Sequence, residues 1–138
     1  MITEKEIISK YVGVPYRHGG RDMSGLDCWG LVKNVYRDLG YDLFDLEEGS
    51  YPVNWSRAGN NYFIENYHKE WKEVNCPMPF DGVLFRNRKG MCDHAGVVLS
   101  GGRFIHTCRA GTVISRLNDK SWKDRIYGFY RLKRIPEW

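Results

Sequence analysis

The feature that most narrows the fold is a change of hydrophobic period near Trp71. Before it, apolar residues recur at helical spacing; after it come short runs with strand character. Residues 3 to 12 predict a helix, with Thr3 and Glu6 at capping-box spacing, Ile7, Ile8, Tyr11 and Val12 on one face, and Gly13 with Pro15 as the stop. A glycine-rich turn, Tyr16 to Gly25, follows. A second helix is predicted from Cys28 to Leu39, with Asp27 as N-cap, Leu31, Val32, Val35, Tyr36 and Leu39 as its apolar face, and Gly40 at C′. Residues 41 to 56 read as irregular, and Asn60 to His68 as a weaker third helix. Strands are predicted at Trp71–Val74, Gly82–Arg86, Ala95–Leu99, Arg103–Thr107, Thr112–Arg116 and Gly128–Leu132. Helices first and strands afterwards indicate an α+β domain, with helices packed on a five- to six-stranded antiparallel sheet. The 138 residues carry no internal repeat or low-complexity tract, so residues 1–138 read as a single domain.

Composition excludes several classes. No apolar run approaches the roughly 20 residues of a membrane span. The opening MITEKEIISK lacks a basic segment followed by an apolar stretch, so no secretory signal is expected. The formal charge of +4 is a mild excess; from Arg103 onward nine Lys/Arg face three Asp/Glu. That asymmetry suits a solvated surface or weak attraction to an anionic polymer. No nucleic-acid-binding motif accompanies it.

Four cysteines (Cys28, Cys76, Cys92, Cys108) in a chain of this size and without an export signal are expected as free thiols. A reactive cysteine must ionise, which a helix N-terminus and a nearby imidazole both favour. Cys28 has the first by position, although the adjacent Asp27 carboxylate works against a low thiol pKa. Glycines 19, 20, 25 and 30 around it allow close backbone approach, as a peptide-binding cleft requires. Cys76, ahead of Pro77, reads as a packed thiol, and Trp55, Trp71, Trp122 and Trp138 as packing residues.

The imidazole has to come from elsewhere. His68 lies in a polar stretch and His18 on the glycine-rich turn, whereas His94 and His106 fall at the edges of two strands of one predicted hairpin. A two-residue turn at Gly101 and Gly102 would put them on opposite faces. A three-residue loop, Ser100 to Gly102, or one bulge sets Gly96 opposite His106. The two histidines then share a face as diagonal neighbours. A second imidazole can fix the first one's orientation and tautomer.

The stretches Val14-Pro15-Tyr16-Arg17-His18-Gly19-Gly20 and Gly25-Leu26-Asp27-Cys28-Trp29-Gly30-Leu31 resemble the nucleophile region of the NlpC/P60 family of cell-wall peptidases. Asp93-His94-Ala95-Gly96-Val97-Val98-Leu99 and Gly102-Arg103-Phe104-Ile105-His106 resemble its base and orienter segments. The likeness spans roughly residues 11 to 132. It implies a papain-like α+β fold and a cysteine endopeptidase of peptidoglycan stems, often cutting between γ-D-glutamyl and a diamino acid. By the same likeness Cys28 is the nucleophile, His94 the base and later acid, and His106 the orienting residue. Tyr16, Asp27 and Trp29 would contact substrate, and no metal or cofactor is implied. Two departures stand out: Trp29 replaces the usual serine after the cysteine, and Phe80-Asp81-Gly82 stands where Pro-Gly-Asp is usual. The Asp-Cys-Trp-Gly form, the absent leader and the ending Trp122…Gly128-Phe129-Tyr130-Arg131 look most similar to members found in phage tails. That likeness implies synthesis in the bacterial cytoplasm and delivery with other tail or particle proteins.

Rival readings remain open from sequence. Cys92, His94, His106 and Cys108 would lie on one face in the shifted register and form a Cys2His2 zinc site. Such a module, or a tail-assembly protein whose cleft only binds, would need no catalysis. A papain-like amidase or acyltransferase would keep the triad and change the substrate.

Overall fold

The structure, a computed structural model, describes residues 2–43, 70–90 and 92–134. Helix α1 (Glu4–Tyr11) is closed at its start by the Thr3–Glu6 capping box. A small hairpin of β1 (Arg21–Asp22) and β2 (Gly25–Leu26) precedes helix α2 (Cys28–Asp38). Then come β3 (Trp71–Val74), β4 (Gly82–Arg86), β5 (Cys92–Leu99), β6 (Arg103–Cys108) and β7 (Gly111–Arg116). A short helix α3 (Lys120–Lys123) leads into β8 (Ile126–Leu132). Strands β3 to β8 form one antiparallel sheet in the order β3-β8-β4-β5-β6-β7. The architecture is the α+β arrangement expected, with six strands.

Side-chain alternation gives this sheet two covered faces. On one, Leu84, Ala95, Val97, Leu99 and Ile105 pack against Ile7 and Tyr11 of α1 and Leu31, Val32, Val35 and Tyr36 of α2. On the other, Val83, Phe85, Val98 and Phe104 meet Leu117, Trp122, Ile126 and Phe129. Burying the α2 face anchors the helix, so its first residue, Cys28, is held against the sheet.

The predicted strands are present, several longer by one to three residues. The expected third helix at Asn60–His68 lies outside the described residues, as do positions 44–56 of the stretch read as irregular. Two elements escaped the sequence reading: the β1–β2 hairpin, too short for any period, and the single turn of α3.

The glycines near Cys28 prove to serve packing within the protein. A Cβ on Gly30 would run into the Gly20 carbonyl oxygen, and one on Gly20 into that of Gly25. The loop is thereby seated on the first turn of α2. Ser100–Gly102 forms a three-residue connection, with Gly101 and Gly102 both at φ +71. Val97 pairs with Ile105 and Leu99 with Arg103, so the register is the shifted one.

Candidate active site

Asp27 caps α2 by accepting the Gly30 N–H at 2.7 Å. The same carboxylate accepts the Gly19 N–H at 3.1 Å and the Arg21 guanidinium at 2.7 Å, and the residue is only 5% exposed. Three partners therefore fix the residue before the thiol. Cys28 follows, buried, and the backbone N–H groups of Trp29 and Ala95 are directed at its sulfur. The thiol thus rests against the residue that follows His94.

His94 Nε2 lies 2.7 Å from His106 Nδ1, so the hairpin register does bring the two imidazoles into hydrogen-bond contact. His106 Nε2 in turn lies 2.9 Å from Ser115 Oγ on β7. Gly96 sits beside His106, and a side chain there would press on the His106 Cβ and the Phe104 ring. Trp122 covers the pair: it stacks on His94 with centroids 5.4 Å apart and meets His106 edge-on at 4.7 Å. Arg125 lies over the outer face of Trp122 and reaches Asp93 at 3.5 Å.

Burial governs the electrostatics. It pushes the Cys28 thiol up to about 12, with Asp27 adding to the rise and the Ala95 and Trp29 N–H groups and Arg21 opposing it. Burial also pulls His94 down to about 3, with repulsion from His106 and Arg125 contributing, and His106 down to about 4. The helix N-terminus does not leave a free thiolate, as its position alone suggested. At rest both groups are neutral, and burial disfavours the charge on each.

This has a consequence for acid stability. Unfolded, both histidines protonate near their ordinary value of about 6.5. Below that pH the unfolded chain binds more protons than the folded one, so stability present above about 6.5 is lost as pH falls toward 4. The slope is at most about 1.4 kcal/mol per pH unit for each histidine. An NMR titration of the imidazoles checks the premise: neither should gain a proton by pH 5 while the protein is folded. A midpoint near 6.5 for either would overturn it.

Tyr16 is bridged to Leu26 and partly buried beside the nucleophile. Burial raises its hydroxyl, the Asp27 charge raises it further, and Arg109 opposes the rise. Arg109, from the β6–β7 turn, lies over its ring at 5.9 Å. Trp29 packs on the first core cluster and lines a small apolar cavity with Val32, Trp71, Leu84, Ala95 and Tyr130. His18 is half-buried on the loop before β1, and His68 lies outside the described residues.

The zinc reading fails on register. Phe85 pairs with His94 but Arg86 with Cys92, so Asp93 is bulged out of the ladder. Cys92 turns into the α-helical core while His94 joins Phe85 and Trp122 on the other face. Among the described residues no cluster of His, Cys, Asp or Glu could hold a metal ion. All four cysteines are free thiols, as expected, but Cys76 is exposed rather than packed.

The NlpC/P60 family pattern matches residues 13–131. The chain belongs to the NlpC/P60 family. It is 35% identical over 130 residues to the gamma-DL-glutamyl hydrolase of Bacillus subtilis, covering 91% of this chain and 28% of that protein. It is 29% identical over 120 residues to the probable peptidoglycan endopeptidase LytE of the same organism, covering 87% and 31%. It therefore spans about a third of these curated relatives. Two solved structures share the fold. One is a Staphylococcus aureus protein described as similar to lipoprotein, NLP/P60 family (TM-score 0.67, 22% identity, 95% of this chain and 40% of that one). The other is the NlpC/p60 domain of peptidoglycan hydrolase SagA (TM-score 0.58, 24% identity, 94% and 99%).

Within this family frame, Asp81 of Phe80-Asp81-Gly82 is 3% exposed and holds Arg131 through two 2.8 Å contacts. It ties the start of β4 to β8, a structural task. Sequence reasoning missed Ser115, Trp122, Arg21 and Arg109 as neighbours of the site. Only Trp122 had drawn notice, as a packing residue, and what it packs on is the histidine pair.

Proposed function

We propose that this protein is a cysteine endopeptidase that cuts the peptide stems of bacterial peptidoglycan, at the bond between γ-D-glutamyl and a diamino acid. The observation that carries the reading is the thiol at the first turn of α2, lying against Ala95, next in the chain to an imidazole that a second imidazole holds. His94 Nε2 is engaged by His106, so Nδ1 is the nitrogen left to accept a proton. Cys28 gives its proton to that nitrogen as its sulfur attacks the scissile carbonyl carbon. The Cys28 backbone N–H, an unpaired first-turn donor, stabilises the resulting oxyanion. Collapse breaks the C–N bond, and the departing amine takes the proton from His94. Water, deprotonated by His94, then attacks the thioester and releases the new carboxylic acid and the thiol.

Tyr16, partly buried near Cys28, is the residue assigned to contact substrate, and Trp29 packs on the core after the nucleophile. Asp27, already committed to three partners, acts on the substrate end through the loop and helix it holds. The wall substrate is supported by the name of the relative LytE, a probable peptidoglycan endopeptidase, and a γ-glutamyl bond by that of the gamma-DL-glutamyl hydrolase. Delivery as part of a phage tail or tail-like particle is supported by the Asp27-Cys28-Trp29-Gly30 form and the segment from Trp122 to Arg131.

Incubation with purified wall, with fragments identified by mass, tests the reading. Stem fragments should appear that have gained one water per cut, with new termini at the γ-D-glutamyl bond. Products joined to an added amine without water would mark an acyltransferase, and an intact wall would overturn the proposal.

A further inference from the structure

We propose that Ser115 is a positioning residue of this site: its hydroxyl oxygen holds His106 in the tautomer that leaves His94 able to take up a proton. Both the tautomer and its kinetic consequence rest on the reading above, but the nitrogen pattern can be measured without turnover.

His94 Nε2 and His106 Nδ1 are 2.7 Å apart, so one carries the hydrogen and the other accepts it. For His94 Nδ1 to be bare, neutral His94 must carry its proton on Nε2 and donate it to His106 Nδ1. Neutral His106 must then carry its own proton on Nε2. That N–H points at Ser115 Oγ, 2.9 Å away, which accepts it. The opposite arrangement also satisfies the short contact. There His106 Nδ1–H donates to His94 Nε2, the Ser115 hydroxyl donates to the bare His106 Nε2, the His94 proton sits on Nδ1, and the base is disabled.

Protonation of His94 removes the choice. The imidazolium has an N–H on both nitrogens, His106 Nδ1 can only accept, and His106 Nε2–H must find an acceptor. His106 is 1% exposed, with the Phe104 ring at 4.4 Å and Trp122 at 4.7 Å, so solvent has little access to supply one. Ser115 fills that need from the neighbouring strand. Phe104 pairs with Ser115 and His106 with Val113, so Ser115 is the diagonal neighbour of His106 on the same face. A serine at a strand position gives no sign of this in sequence; the β6–β7 register creates it. The hydroxyl matters most when the charge is on His94, which places its effect in the chemical step rather than in substrate binding.

The test uses the whole chain as wild type, Ser115→Ala and Ser115→Thr, with nitrogen-15 NMR of the imidazoles and kinetics on purified wall peptides. In wild type, both His94 and His106 should be protonated on Nε2 and bare at Nδ1. Ser115→Ala should mix the His106 tautomers and lower kcat about tenfold, the order of one ordinary hydrogen bond, with KM unchanged. Ser115→Thr, which keeps the hydroxyl, should restore both. Wild-type His106 protonated on Nδ1 would overturn the proposal outright. So would a Ser115→Ala protein with an unchanged nitrogen pattern, whether its kcat stays within twofold or falls together with its melting temperature. The NMR measurement needs no turnover, so wild-type protein that cleaves nothing would sink the peptidase reading while the tautomer question is still answered.

Discussion

Cys28→Ala should lower the rate of wall-peptide release by at least about 10⁴-fold while leaving the melting temperature nearly unchanged. The sulfur forms the covalent bond in the proposed reaction, and the other three thiols lie elsewhere: Cys92 is turned into the helical core, Cys76 stands exposed on the surface, and Cys108 ends β6 with its thiol on the Gly111 carbonyl. Removing one sulfur from a buried position costs little packing, on the order of 1 kcal/mol. His94→Ala should lose a similar factor, although it opens a gap between Phe85 and Trp122, so its folding has to be followed alongside. The informative comparison is the double variant. Thiol and imidazole work as one unit, so removing both should cost no more than removing one. Fragment release by Cys28→Ala within tenfold of wild type would end the assignment. A double variant whose loss equals the product of the two single losses would show that the residues act independently.

The parts of this molecule that could be read from sequence are those fixed by local rules. Thr3 and Glu6 announce α1, Asp27 announces the cap of α2, and period two outlines the six strands, because capping and alternation act over a few residues. The histidine pair was legible for a related reason. One loop length, Ser100–Gly102, decides which face each strand residue takes. What could not be read depends on contacts between elements distant in the chain. The bulge at Asp93 reverses the face of Cys92, and nothing in Met91-Cys92-Asp93 marks it. Ser115 reaches His106 only through the β6–β7 register, and Trp122 reaches both imidazoles from a helix of one turn. The state of the thiol was misjudged in part. The helix terminus is where the sequence placed it, but burial depends on the assembled sheet and outweighs it.

Asp27 carries the second large prediction, because it works for the fold and against the thiol at once. Asp27→Asn keeps an oxygen to accept the Gly30 N–H but removes the Asp27 charge from Arg21, whose side chain is 14% exposed. It also turns an amide toward the Gly19 N–H, where an acceptor is needed. Breaking a mostly buried ion pair by removing one partner costs about 3–5 kcal/mol, so the melting temperature should fall by about 10 °C or more. The thiol should move the other way. Burial is the larger cause of its raised pKa and the Asp27 charge the second, so removing that charge lowers the pKa without bringing it to an ordinary value. The pH midpoint for alkylation of Cys28 should therefore shift downward in a protein that is less stable. Adding Arg21→Met removes the cation that Asp27 had faced and should recover part of the stability. Arg21 also lowers the thiol pKa, so the same double variant should return the alkylation midpoint upward. A midpoint that rises in Asp27→Asn alone would show that the carboxylate is not what opposes the thiolate, and a melting temperature unchanged within 2–3 °C, on the scale of roughly 1 kcal/mol or less, would show that the Arg21 pair does not hold the loop.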